Sequence, residues 1–135
     1  MSSSTARGSS EAKASDLEGV RVLVVEDSWL LGINLKSLLR ALGAEVIGPV
    51  ATAADAEHLI SGLTPDVALV DFNLRAGELA HGLIDRLHDR GVRIVVISGY
   101  ADIPMVTGKV AATLQKPIDE DQLLAALRPT TKTAR

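Results

Sequence analysis

Val20-Arg21-Val22-Leu23-Val24-Val25-Glu26-Asp27 is an apolar run closed by two acids, and Val67-Ala68-Leu69-Val70-Asp71 repeats the pattern with one. Runs this short, rich in Val and Leu and nearly free of polar alternation, read as strands buried on both faces. Such strands form parallel sheets with helices packed over them. Ligands of these sheets bind outside the carboxyl ends of the strands. Glu26, Asp27 and Asp71 delivered together to that edge would repel one another, because like charges within about 4–6 Å disfavour joint ionisation. A divalent cation is the simplest partner that lets all three stay charged.

Outward from these runs the chain alternates between two periods. The pattern predicts strands over 20–25, near 46–50, over 67–71, over 92–97 and near 110–115. Helices are predicted from Ser28 to Leu42 and over 53–62, 79–90 and 120–128. Strand-then-helix repetition makes an α/β sheet the default architecture. In the first helix Leu31, Leu35, Leu38, Leu39 and Leu42 fall on one face, with Ser28 as N-cap and Gly43 as the stop. Thr52 with Asp55 and Asp119 with Gln122 have capping-box spacing, Gly91 follows the third helix and Pro129 ends the last. Between Ala101 and Lys109, Pro104 and Gly108 leave room for one turn or irregular backbone rather than a full helix. Residues 1–17, rich in Ser and Ala without periodicity, predict a flexible leader; 18–128 form the domain and 129–135 a short tail.

Composition narrows the function. With 135 residues and 47% apolar content, one domain with a packed core is expected. A net charge of −3 without blocks of either sign argues against nucleic-acid binding. There is no cysteine, no run long enough for a membrane span and no signal-peptide core, which fits a cytoplasmic protein. His58, His81 and His88 lie on predicted helices among charged residues and are expected to be solvated, with no metal or proton chemistry. Trp29 follows the acids and either borders the site or packs against the first loop.

Glu26-Asp27, Asp71 followed by Asn73, Ser98 after Ile94-Val95-Val96-Ile97, and Lys116-Pro117 after a fifth strand together resemble the receiver domain of two-component response regulators. The resemblance spans about residues 19–128. It implies a doubly wound five-stranded parallel sheet in the flavodoxin-like order 2-1-3-4-5 with a short or irregular fourth helix. By the same resemblance Asp71 is the phosphoacceptor, taking a phosphoryl group from a phosphohistidine of a sensor histidine kinase or phosphotransfer protein. Mg2+ would be bound by Asp27 and Asp71 directly, by Glu26 through water and by the backbone carbonyl of Asn73. Ser98 and Lys116 would reach phosphoryl oxygens, the Lys116-Pro117 bond being usually cis in the family. The protein would then be a phosphoacceptor rather than an enzyme.

Two departures stand out. Thr113 occupies the position three residues before Lys116 where many receivers have Tyr or Phe, and Ser98 to Lys116 spans only 18 positions (116 − 98). With Ser98-Gly99-Tyr100 these resemble a single-domain receiver subfamily marked by Phe-Ala-Thr-Gly followed by Gly or Tyr, although Val96-Ile97-Ser98 stands where that motif has Phe-Ala-Thr. Membership would imply a stand-alone regulator, phosphorelay component or phosphate sink served by a kinase of the HWE type. A pseudo-receiver that binds partners without phosphorylation is one alternative. A Mg2+-dependent aspartyl-phosphate hydrolase is another, but that class wants an acid two residues after the nucleophile, where this chain has Asn73. Singly, each residue also has an ordinary explanation: the acid pair as helix N-terminal charge, Asp71 as a loop acid, Asn73 as a turn residue, Ser98 bonding local backbone, Lys116 solvated.

Overall fold

In the computed structural model, residues 16–72, 81–99 and 108–128 are described. Five strands, β1 (Arg21–Val25), β2 (Glu45–Val50), β3 (Val67–Asp71), β4 (Arg93–Ser98) and β5 (Ala112–Gln115), form one parallel sheet in the order β2-β1-β3-β4-β5. Among the described residues four helices accompany it: α1 (Trp29–Ala41), α2 (Ala53–Ile60), α3 (His81–Asp89) and α4 (Glu120–Leu127). This is the α/β sheet that the alternation predicted, in the doubly wound, flavodoxin-like order that the family resemblance implied.

Between their ends the central strands are apolar, because both faces of the sheet are covered. One face of the sheet, with Leu23, Val70 and Ile94, packs against α2 and α3 through Ala56, Ile60 and Leu87. The opposite face, with Val24, Leu69 and Ile97, packs against α1 and α4 through Leu35, Leu39 and Leu123. The leucine stripe of α1 is therefore a sheet contact, as its spacing required.

The ends of the helices follow local chemistry. Ser28 Oγ accepts from Leu31 N at 3.3 Å and Thr52 Oγ1 from Asp55 N at 3.0 Å. Asp119 caps α4 through Asp121 N at 3.0 Å, one residue earlier than the capping-box spacing suggested. Gly43, just past α1, has φ +98°, the left-handed turn that frees the chain to enter β2.

Leu17, placed by composition at the end of the leader, is fully buried in the α1/α4 face, and its amide donates to Leu42 O at 2.8 Å. An apolar side chain covering the end of α1 outweighs the polar character of the residues before it. The irregular segment expected after Ser98 lies outside the described residues, apart from Gly99, Gly108 and Lys109 at its ends, as do Tyr100, residues 1–15 and the tail from 129. Among the described residues, no helix is long and apolar enough to cross a membrane.

Candidate acidic phosphoacceptor site

The order β2-β1-β3 places the reversal of strand order between β1 and β3, the point where open α/β sheets leave a crevice at their carboxyl edge. Glu26 and Asp27 leave β1 there and Asp71 ends β3 beside them. Val25 pairs with Val70 in the last register position, so the two acidic ends emerge side by side. Each of the three offers a carboxylate oxygen, and these oxygens lie within 4.8 Å of one another.

Glu26 is held at both its backbone and its side chain. Its amide donates to Val50 O at 2.9 Å, and its Oε2 accepts from Ser28 N at 3.0 Å, the bond that joins it to the start of α1. The glutamate is 3% exposed, and its Oε1 has no hydrogen-bond partner among the described residues. A buried carboxylate oxygen without a donor is costly, and none of the described residues supplies one.

The positive charge comes from the other side of the sheet. β4 and β5 end with Ser98 opposite Gln115, and Lys116 N donates to Ser98 O at 2.8 Å. From there the Lys116 side chain reaches back so that Nζ stands 3.5 Å from Glu26 Oε2 and 3.6 Å from Asp71 Oδ2. The Lys116-Pro117 peptide is cis, as the family resemblance implied. Ser98 is fully buried at the end of β4, one strand away from Asp71, whose backbone pairs with Ile97.

Charge and donor type together define what the pocket can take. Three carboxylates and one ammonium leave a formal charge of −2 (−3 + 1), balanced by one divalent cation. All the side-chain ligands are oxygens, which suits Mg2+, an ion that keeps several waters and uses few carboxylates. A water on such an ion would supply the hydrogen that Glu26 Oε1 lacks. The residues present fit the ion.

Of the predicted site residues, the structure gathers Glu26, Asp27, Asp71 and Lys116, with Ser98 on the adjoining strand end. Asn73 lies outside the described residues. His58 and His88 are exposed on helix surfaces, as expected. Trp29 borders the site rather than packing down: it is 76% exposed and lines a shallow, mainly apolar depression with Asp27, Gly32, Pro49 and Val50. A larger depression lined by Asp66, His88, Arg93 and Lys109 lies at the opposite, amino-terminal end of β4 and shares no residue with the acids. Sequence reasoning passed over Gly48-Pro49, although a Gly-Pro pair inside a strand pattern is itself the signal of a bulge.

A parallel sheet with acids at its switch point and a lysine beside them defines a doubly wound α/β domain with a charged crevice at its carboxyl edge. The comparisons narrow this further: residues 22–128 match the response regulator receiver domain, and the chain belongs to that family of two-component signalling proteins. It is similar, at 36% identity over 113 residues, to a protein-glutamate methylesterase/protein-glutamine glutaminase of Geobacter metallireducens. That match covers 82% of this chain but only 30% of the relative. Among solved structures, the signal receiver domain of a modulated diguanylate cyclase from Desulfovibrio desulfuricans superposes with a TM-score of 0.73 at 26% identity, covering 86% of this chain and 98% of that one. A CheY-like receiver domain from Methanospirillum hungatei gives 0.71 at 25% identity, covering 78% and 88%.

Proposed function

We propose that the protein is a phosphorylation-dependent signalling module in which Asp71 accepts a phosphoryl group from the phosphohistidine of a sensor histidine kinase or phosphotransfer protein. An Asp71 carboxylate oxygen attacks phosphorus, the O–P bond forms, and the N–P bond breaks with its electron pair passing to the imidazole nitrogen. The observation that carries this reading is the Nζ of Lys116 at 3.6 Å from Asp71 Oδ2, in a pocket of three converging carboxylates.

Phosphoryl transfer asks little covalent work of a protein beyond the nucleophile; positioning and charge neutralisation do most of it. Asp27 and Asp71 would hold Mg2+ directly and Glu26 through water, while the part of the Asn73 carbonyl rests on the family resemblance. Bound there, the ion supplies neutralisation of the phosphoryl oxygens. Lys116 adds a compact second charge, and the Ser98 hydroxyl is the donor for a phosphoryl oxygen on the β4 side. Movement of Ser98 toward that oxygen would draw the segment after β4 with it, a local electrostatic event read out on the surface.

Service by a kinase of the HWE type, a stand-alone or phosphate-sink role, and a cytoplasmic location belong to the same proposal. An aspartyl-phosphate hydrolase is disfavoured by Asn73, which offers no proton to a leaving group.

The test is labelling with acetyl phosphate and Mg2+ followed by intact mass spectrometry. One base-labile phosphoryl group is expected on the native chain and none on Asp71→Asn. Equal labelling of both would remove Asp71 from the role.

A further inference from the structure

The pairing of β1 with β2 breaks beside the acids. Leu23 pairs with Ile47 but Val25 pairs with Val50, so two steps along β1 meet three along β2, and one extra residue is accommodated at Gly48-Pro49. Gly48 has φ +98°, and a Cβ there would stand 2.9 Å from Val24 O. Only glycine seats the bulge this closely. The inserted residue brings Val50 O to the position where it receives the Glu26 amide.

Pro49 then meets α1. A Cβ on Gly32 would lie 3.1 Å from Pro49 Cβ, 3.2 Å from Pro49 Cγ and 4.0 Å from Glu26 O. Gly32 is buried in the first turn and a half of α1, a place where glycine weakens a helix relative to alanine. Its own amide donates to Ser28 O at 2.9 Å, and Ser28 N donates to Glu26 Oε2. The bulge therefore bears on Glu26 twice, on the backbone through Val50 and on the carboxylate through the seat of α1.

We propose that Gly32 and Pro49 are positioning residues: their close contact sets how near α1 lies to β2, and so holds Glu26-Asp27 at the distance from Asp71 that a divalent cation requires. The proposal rests on the Mg2+ reading of the site. It explains a helix-interior glycine for which propensity offers no reason.

Two substitutions disturb the contact from opposite directions. Gly32→Ala overfills it; Pro49→Ala keeps Cβ but removes the ring carbons Cγ and Cδ and so loosens it. Titration with Mg2+ should show the dissociation constant rising about tenfold for Gly32→Ala, the lower end of the scale on which ligand-orienting contacts act, and by a smaller factor of about threefold for Pro49→Ala, which keeps the nearer Cβ. Because alanine favours the helix, Gly32→Ala should lose metal affinity with no loss of urea resistance, a split that a merely structural role would not produce. In metal-free protein, hydrogen exchange at the Glu26 amide should quicken in both variants while the Leu69 amide in β3 stays unchanged.

Affinities within about twofold of the native value in both variants, on a scale where the orienting effect is about tenfold, would overturn the proposal. Should Gly32→Ala fail to fold, Pro49→Ala decides by the same two measurements. If the native chain binds no Mg2+, the phosphoacceptor reading falls, and unchanged Glu26 exchange in the variants would separately overturn the positioning role.

Discussion

The acid flank of the site and its lysine flank are held by different means. β1, which delivers Glu26 and Asp27, is hydrogen-bonded to a strand on each side and is buried from Val22 to Val25. β5, which delivers Lys116, is a four-residue edge strand with Thr113 and Gln115 exposed. Glu26 is fastened at its amide and its carboxylate, whereas Lys116 is fastened by one main-chain bond and then reaches inward on a flexible stem. Metal coordination needs fixed oxygens; neutralising a phosphoryl oxygen needs only a charge within reach. Under the proposed function, the stricter geometry falls on the flank that is bonded at more points.

Core truncations should break this comparison most visibly. Leu23→Ala, in a fully buried position of β1, should lower unfolding free energy by about 4–5 kcal/mol, and Leu114→Ala on β5 by about 2–3 kcal/mol. Urea denaturation of both variants checks the ranking, and equal losses would mean that the two flanks are equally rigid.

The charges themselves should respond in opposite directions. Asp27→Ala should weaken Mg2+ binding by about 100-fold, at the upper end of the range for disturbed metal sites. Lys116→Met should strengthen it by about threefold, since an ammonium near two carboxylates competes with a cation for them. Trp29 gives a direct readout of both titrations, being the only tryptophan and two residues beyond Asp27. A Lys116→Met variant that lost affinity would show that the lysine organises the acids rather than opposing the metal.

The smallest effect belongs to the exposed pair Lys109–Asp85, 2.6 Å apart. The hydrogen bond to Asp85, and the charge of that carboxylate, raise the Lys109 ammonium above its ordinary value. A raised folded-state value means that the pair's contribution is complete below the unfolded lysine value, about 10.4, and fades as pH rises through the higher folded one. Lys109→Met should therefore change the melting temperature barely at neutral pH and not at all in strong base. A large neutral-pH loss would give this surface pair a structural role.

Much of the architecture was legible because its signals are local. β1, β3 and β4 announce themselves as apolar runs, α1 as a leucine stripe, and Ser28, Thr52 and Gly43 as punctuation at helix ends. The acids and Lys116 were legible as well, each following a recognisable strand. Leu17 was not, because one leucine among polar residues has no periodic partner, and its burial depends on reaching Leu42 across the end of α1. Nor was the contact of Gly32 with Pro49, which joins a helix to a strand bulge that no spacing rule connects.

Sequence alone determined which residues sit at strand ends and what chemistry they carry, since alternation, capping and side-chain type are properties of neighbours along the chain. Tertiary structure alone decided how close those residues come. Strand order brought Asp71 beside Glu26-Asp27, the β2 bulge gave the Glu26 amide its acceptor, and the β4–β5 pairing let Lys116 reach both acids. Such distances depend on packing between segments far apart in the chain, where a few tenths of an ångström at Gly32 separate contact from clash.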